Sequence, residues 1–449
     1  MFLGRTGELQ YLEQFYQRDG SDIVVVYGQK NIGKTVLALS FAKDKEKCYY
    51  LSRPCSEDEQ RKQWLKEIGK EEESAENFYQ LFETGFLKTS KKQVIIIDEF
   101  HRMVKSSPSF MKDLIAFLND SNGQYFVILL SSSIEFVENS LVSKIGETAL
   151  KISGFLKLKE LTFANLREFF PEYDMDQCIQ LFSVLGGYPG LWEYIDRTKS
   201  VRENLFSLFY SERAPLKLES EAYISSELRE TGVYHTLLAA IASGKNKLNE
   251  LHLYTGFSRA KISVYLKNLM ELELVEKIFS CECEGSENTK KGIYGISLPM
   301  IAFYFKYLYP NFSNMASEPS FSYFSQHILV DFRTFAGKAF EQMCFEHIQN
   351  LNAKGMLPIS TKRFEKWVGK EGSLDIVAQG EDGKMLLGKC CYEKARMTYE
   401  DYLEVLSCAR KAKLSTDYIY LFSMEKFDEK LYLESKMKTN ITLISMKDS

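Results

Sequence analysis

The stretch Ile23-Val24-Val25-Val26-Tyr27-Gly28-Gln29-Lys30-Asn31-Ile32-Gly33-Lys34-Thr35-Val36-Leu37-Ala38-Leu39-Ser40-Phe41-Ala42 decides the fold. Its first five residues are apolar and mostly β-branched, which predicts a buried strand. Its last seven predict a helix. Between them Gly28–Thr35 reads G-x-x-x-x-G-K-T, the phosphate-binding P-loop. Strand, glycine loop and helix is the context that gives this pattern physical meaning. Backbone N–H groups and the start of the helix offer donors and partial positive charge to an anion. Lys34 is expected to reach the phosphates and Thr35 to set its hydroxyl on a metal ion. The expected binding set is Gly28, Gln29, Lys30, Asn31, Ile32, Gly33, Lys34, Thr35 and Val36.

A second motif lies downstream. Val94-Ile95-Ile96-Ile97-Asp98-Glu99 is an apolar strand ending in two acids, with Asp98 following Lys34 by 64 residues. At the C-terminal edge of a parallel sheet, Asp98 would meet the P-loop and join Thr35 as a Mg2+ ligand, through water. Glu99 would polarise an attacking water. The three candidates for catalysis are therefore Glu99, Asp98 and Lys34. The strand Tyr125–Leu130 ends in Ser131-Ser132-Ser133, read either as a phosphate sensor, Ser132 first, or as helix-capping serines. His101 and Arg102 could touch phosphate or a partner, but are expected at the solvated start of a loop.

Outward from these motifs, strands are expected at Ile23–Tyr27, Lys47–Leu51, Val94–Ile97, Tyr125–Leu130 and Leu150–Ile152, with helical stretches between, the first over Glu8–Gln17. That alternation predicts an α/β fold built on a parallel sheet covered on both faces. From about 160 to 225 the pattern is helical, with Gly186-Gly187-Tyr188-Pro189-Gly190 as a rigid turn. Residues 234–306 predict three helices and two strands, the winged-helix order. Residues 303–325 are aromatic and loop-rich, and are read as packing residues. Beyond 330, helices over Phe340–Leu351 and Tyr402–Ala412 alternate with strands at Leu374–Ala378, Met385–Gly388 and Tyr418–Phe422, a small α/β domain.

Composition narrows the function classes. The 449 residues suit about three domains, and a net charge of −4 gives no global field for nucleic acid. No signal peptide and no apolar run of membrane-spanning length is present, so a cytoplasmic protein without membrane partners is expected. Nine cysteines read as reduced thiols. Cys281-Glu282-Cys283 and Cys390-Cys391 lack a second pair at zinc spacing.

These residues resemble a family: the archaeal-type ATPases of the STAND class, P-loop NTPases related to AAA+ proteins. The resemblance runs over nearly the whole chain. Phe2-Leu3-Gly4-Arg5 with Glu8-Leu9 is similar to its opening F-x-G-R-x-x-E-L. Gly28–Thr35 and Val94–Glu99 match its Walker A and B motifs. Ser131-Ser132-Ser133 stands at its G-S-S tip, with Ser131 in place of glycine, and Gly187-Tyr188-Pro189 is similar to its G-x-P lid motif. By resemblance, Pro189 packs near adenine and Arg5 lies close to the nucleotide. The family often carries an arginine shortly after the sensor strand, but none occurs between Ser133 and Arg167, which puts fast hydrolysis in doubt.

The family often ends in a restriction-endonuclease-like domain. Here Gly337-Lys338-Ala339-Phe340-Glu341, Trp367, Leu374-Asp375-Ile376-Val377 and Gly388-Lys389-Cys390-Cys391 carry that likeness. An active member would read Glu-x-Lys where Lys389 and Cys391 stand, so the domain is expected to be inactive. The expectation is a P-loop NTPase with a three-layer α/β/α core at 1–158, a helical lid at 159–228, a winged helix at 229–310 and an endonuclease-like domain at 311–449. Its expected ligands are ATP, ADP and Mg2+, and its expected function is a slowly hydrolysing ATP switch. The alternatives are an ATP-liganded regulator that binds DNA through Arg259, Lys261 and Lys267 of the winged helix, a protein-contact module, and an ATP-regulated nuclease.

Overall fold

A computed structural model describes residues 3–86, 91–121, 125–281, 292–369 and 372–447. Phe2 and Cys283 therefore lie outside the described residues. The chain divides into two units: residues 1–161 with Tyr188–Glu193, and Thr162–Gly187 with 194–449.

The first unit runs α1 (Thr6–Tyr16), β1 (Asp22–Tyr27), α2 (Lys34–Phe41), β2 (Lys47–Leu51), α3 (Glu57–Glu67), α4 (Phe78–Gly85), β3 (Gln93–Asp98), α5 (Phe100–Ser106), α6 (Phe110–Asp120), β4 (Tyr125–Ser131), α7 (Leu141–Ile145) and β5 (Gly154–Lys157). Its sheet has the order β2-β3-β4-β1-β5, and every pairing is parallel. The three inner strands are buried almost throughout because helices cover both faces. On one face Tyr50 stacks on Trp64 at 4.4 Å, and Phe78, Phe82, Phe110 and Phe117 extend that core. On the other, Phe41 of α2 and Tyr16 of α1 pack edge-on against Phe126. These are the three layers of an α/β/α sandwich.

The fifth strand differs from expectation. Residues Gly146–Lys151 form a 3-10 turn in which Leu150 is 87% exposed, and the strand is Gly154–Lys157. Its register sets Val24 opposite Gly154, where a Cβ would fall 2.7 Å from the Phe15 ring. Glycine there lets β5 reach β1 beneath α1.

The second unit opens with helices Phe163–Phe169 and Met175–Leu185; the latter packs on Phe332–Ala353 and Pro299–Phe303. Helices Thr231–Ala242, Leu248–Thr255 and Arg259–Glu271 follow, and then the antiparallel pair β6 (Val275–Ile278) and β7 (Ile293–Ile296). Ser258 caps the third helix by accepting the Lys261 amide. The aromatic stretch expected to be loop-rich is helical from Pro299 to Asn311, including a π-turn at Tyr304–Leu308, and again at Phe312–Ser317 and Phe321–Ile328. Phe303, Tyr304, Phe305, Tyr307 and Phe324 are buried, so the packing reading fits.

The chain ends in a mixed sheet of order β14-β12-β10-β9-β8, made of β8 (Phe364–Val368), β9 (Ser373–Gln379), β10 (Met385–Cys391), β12 (Tyr418–Ser423) and β14 (Ile441–Ser445). A small pair, β11 (Arg396–Met397) and β13 (Lys426–Phe427), lies beside it in the chain. The described cysteines are free thiols. Among the described residues no helix is long and apolar enough to cross a membrane.

Candidate nucleotide site

The C-terminal edge of the first sheet gathers three loops, those following β1, β3 and β4. Since β4 lies between β1 and β3, a side chain from each flank must meet above its tip. The backbone after β1 turns through unusual conformations. Gly28 has φ 151°, Asn31 φ 65° and Gly33 φ 98°. A Cβ on Gly28 would sit 2.8 Å from the Leu158 carbonyl, so only glycine fits there. Gly33 then caps α2 in the left-handed region, which starts the helix at Lys34.

Lys34 is 6% exposed, and its ammonium donates to the carbonyls of Gly28 and Gln29, each at 2.9 Å. Burial pushes its pKa down to about 8, against the pull of Glu99 and Asp98. Thr35 donates its hydroxyl to Asp98 Oδ2 at 2.6 Å. Tyr49, on the neighbouring β2, donates to the same oxygen at 3.1 Å, while Asp98 Oδ1 accepts the Glu99 amide at 2.9 Å. Burial and the Asp98 carboxylate hold the Tyr49 phenol in its protonated form well above the usual tyrosine range. Lys30 is exposed on the turn, and Val36, in the first turn of α2, is 51% exposed.

Glu99 adopts φ 53°, a left-handed conformation that a glutamate enters only when its surroundings hold it. Its Oε2 accepts from the Ser132 hydroxyl at 2.7 Å and the Ser132 amide at 3.2 Å. His101 Nδ1 lies 3.2 Å from that same oxygen and 3.2 Å from Ser131 Oγ. His101 is buried on α5, a correction to the solvated loop expected from sequence. Burial first, then the positive charges of Lys105 and Arg102, lower its pKa to about 3. The ring is therefore neutral at ordinary pH, with Nδ1 hydrogen-bonded to Ser131 Oγ beside the Glu99 carboxylate. Ser131 also donates to the Ser133 carbonyl at 3.3 Å, which gives the serine that replaces glycine a role in shaping this tip. Arg102, likewise on α5, donates to the Ser52 carbonyl at 3.1 Å.

Two expected contacts take a different form. Arg5 is 5% exposed, and its guanidinium donates to Ile32 O at 3.0 Å, Lys159 O at 2.8 Å and Glu8 Oε1 at 2.9 Å. It braces the P-loop from behind. Pro189 Cγ lies 3.5 Å from the position of a Gly33 Cβ, and the Gly190 amide donates to the Asn31 carbonyl at 3.0 Å. Tyr188 donates to Glu160 at 2.7 Å. The turn 188–193 thus rests directly on the P-loop.

The donor set fits a magnesium nucleotide. Thr35 and Asp98 are hard oxygen donors held together, and the cradle at Gly28 leaves no room for a side chain. Hydroxyls hold the Asp98 carboxylate, and they can rotate to free a lone pair.

Residues 2–195 match the profile of a family described as "ATPase domain predominantly from Archaea". Residues 304–402 match a second, described as "Archaea bacterial proteins of unknown function". The uncharacterised protein MJECL04 of Methanocaldococcus jannaschii is 30% identical over 397 residues, 86% of either chain. The chain belongs to the archaeal-type ATPase family. An uncharacterised ATP-binding protein of the same organism, MJ0423, is 33% identical over 46 residues, 10% of this chain and 78% of its own. Among solved structures, the Walker-type ATPase PABY2304 of Pyrococcus abyssi aligns at 16% identity and TM-score 0.46, covering 68% of this chain and 96% of its own. The ORC2 protein of Aeropyrum pernix aligns at 15% identity and TM-score 0.45, covering 71% and 96%. In this chain Tyr49 is the site residue that sequence reading passed over, and His101 the one it misplaced. Neither lies in a motif, and only the β2-β3 pairing brings Tyr49 to Asp98.

Proposed function

We propose that this ATPase-family chain binds ATP and ADP with Mg2+ and acts as a slowly hydrolysing conformational switch. The 2.6 Å contact between Thr35 and Asp98, across the tip of β4, carries the reading. Bound ATP supplies the transferable phosphoryl group, and magnesium neutralises the phosphates as charge develops. Lys34 and the backbone amides of the loop hold the phosphate oxygens. Glu99 orients a water and takes its proton at Oε2. Its bonds to the Ser132 amide and hydroxyl compete with that task, which favours slow turnover. Arg5 keeps the loop in shape, and Gly190 supports it through the Asn31 carbonyl. We assign 1–158 as the core, 159–228 as the lid, 229–310 as the winged helix and 311–449 as an inactive endonuclease-like output domain in the cytoplasm. Titration of purified protein with a fluorescent ATP analogue, with and without Mg2+, tests the reading. Equal affinity in Lys34→Ala sinks it.

A second reading, an ATP-liganded DNA-binding regulator, draws on the helix-helix-helix-hairpin order. Against it, Arg259 donates to Asn249 at 2.6 Å, and Lys267 pairs with Glu271 at 3.6 Å. Val264, on the same helix, is 58% exposed, which suits a protein partner better than a phosphate backbone. A mobility-shift titration over a salt series separates the two: affinity that does not fall with salt excludes phosphate contact.

A further inference from the structure

The second unit holds a charged centre that the nucleotide reading does not use. Glu341, on the long helix Phe332–Ala353, and Asp375, on β9, both line a cavity of about 450 Å3 beside the β6-β7 hairpin. Asp375 is 7% exposed. Burial first, then the charge of the half-buried Glu341, pushes the Asp375 pKa up to about 6, so the two acids repel and compensating positive charge favours them. A divalent cation would supply it in a metal-dependent nuclease. Here Lys366 of β8 donates to Glu341 Oε2 at 2.6 Å. Lys389 of β10 lies 3.8 Å from Asp375 Oδ2 and donates to the Ser373 carbonyl at 3.3 Å. The same Asp375 oxygen accepts the Cys390 amide at 2.9 Å. Each acid thus has its own ammonium, and those ammoniums occupy the electrostatic place of a cation and repel one. Cys391, at the position of the missing lysine, is a thiol whose pKa burial raises, so it adds neither charge nor base. Among the described residues no group of three or more His, Cys, Asp or Glu is arranged to hold a metal.

We infer that Lys389 and Lys366 act as built-in cations for the Asp375–Glu341 pair, which makes this a metal-independent structural centre in which the single lysine at 389 excludes divalent ions. The inference stands apart from the nucleotide site and does not depend on it. The test is Mn2+ titration of the nucleotide-free full chain, reading free Mn2+ by electron paramagnetic resonance. Wild type and Asp375→Asn should show the same weak background binding. Lys389→Glu, which supplies a third carboxylate, should gain one Mn2+ site at least about tenfold tighter than that background. Lys389→Met should gain a weaker one. A wild-type Mn2+ site that disappears in Asp375→Asn overturns the inference, as does failure of both Lys389 variants to gain a site. If Lys389→Glu does not fold, Lys389→Met carries the binding test. Melting curves add a second check: Lys389→Met should lower the melting temperature, and adding Asp375→Asn should recover most of the loss. A loss unchanged by Asp375→Asn also overturns the inference.

Discussion

Two carboxylate centres in this chain stand at strand residues beside a lysine, yet they are built in opposite ways. At the core, Asp98 is held by hydroxyls, Thr35 at 2.6 Å and Tyr49 at 3.1 Å, while Lys34 spends its donors on backbone carbonyls. Neither charge is cancelled by the other. In the second unit, Lys366 donates directly to Glu341 at 2.6 Å, and Lys389 stands 3.8 Å from Asp375 while donating to the Ser373 carbonyl. Hydroxyls and carbonyls hold a charged group in position while leaving its charge for a ligand. An ammonium against a carboxylate uses both charges up. The first centre keeps its charges free for a ligand, whereas the second sets ammonium groups beside its acids.

The comparison can be broken at its first term most sharply through Glu99. Replacing it with Gln should leave ATP affinity within a few-fold and cut turnover by about 100-fold or more, the usual worth of a positioned base. Phosphate release under single-turnover conditions measures this, and unchanged turnover would remove Glu99 from the reaction. Next in size, Lys34→Ala should weaken ATP binding by about 100-fold, the loss of a charge-assisted bond in a buried site. Calorimetry reads it directly.

Acidity gives a third and smaller effect. Burial holds Lys34 at about 8, and bound phosphate favours its ammonium form. Below that pH the proton is already in place; above it, binding must take one up. Affinity should therefore fall as pH rises through 8, by about tenfold between pH 7 and pH 9, with proton uptake visible in buffers of different ionisation heat. Affinity that is flat over this range would mean the ammonium is not the group phosphate meets. The smallest expected effect is Tyr49→Phe, which removes one of two hydroxyls from Asp98 and should change the Mg2+ dependence of turnover by only about three- to tenfold.

Much of the core was legible because its signals are local. Val24 to Val26 and Ile95 to Ile97 are buried on both faces, and an unbroken apolar run announces that. The P-loop glycines mark backbone that no other residue adopts. Edge strands were the harder case. In β5, Phe155 is 46% exposed and its neighbours are half-buried, so the segment carries no apolar signature, while nearby Leu150 is apolar and open to solvent. The strand Phe364–Val368, also a sheet edge, escaped for the same reason. The aromatic stretch 303–325 was read as loop-rich, but Tyr304–Leu308 widens into a π-turn, a shape set by packing rather than by propensity. Tyr49 and His101 owe their roles to strand order, which sequence spacing does not reveal.

The six residues Tyr188–Glu193 belong to the first unit although the chain on both sides of them belongs to the second. The polypeptide therefore changes unit three times, after residues 161, 187 and 193. A protease cut at the first crossing would leave residues 1–161 held to the turn 188–193 only by non-covalent contacts such as the Gly190 amide on the Asn31 carbonyl. A fragment that stops at Leu161 would lose the amide that the Asn31 carbonyl accepts, and with it a piece of the P-loop's own support.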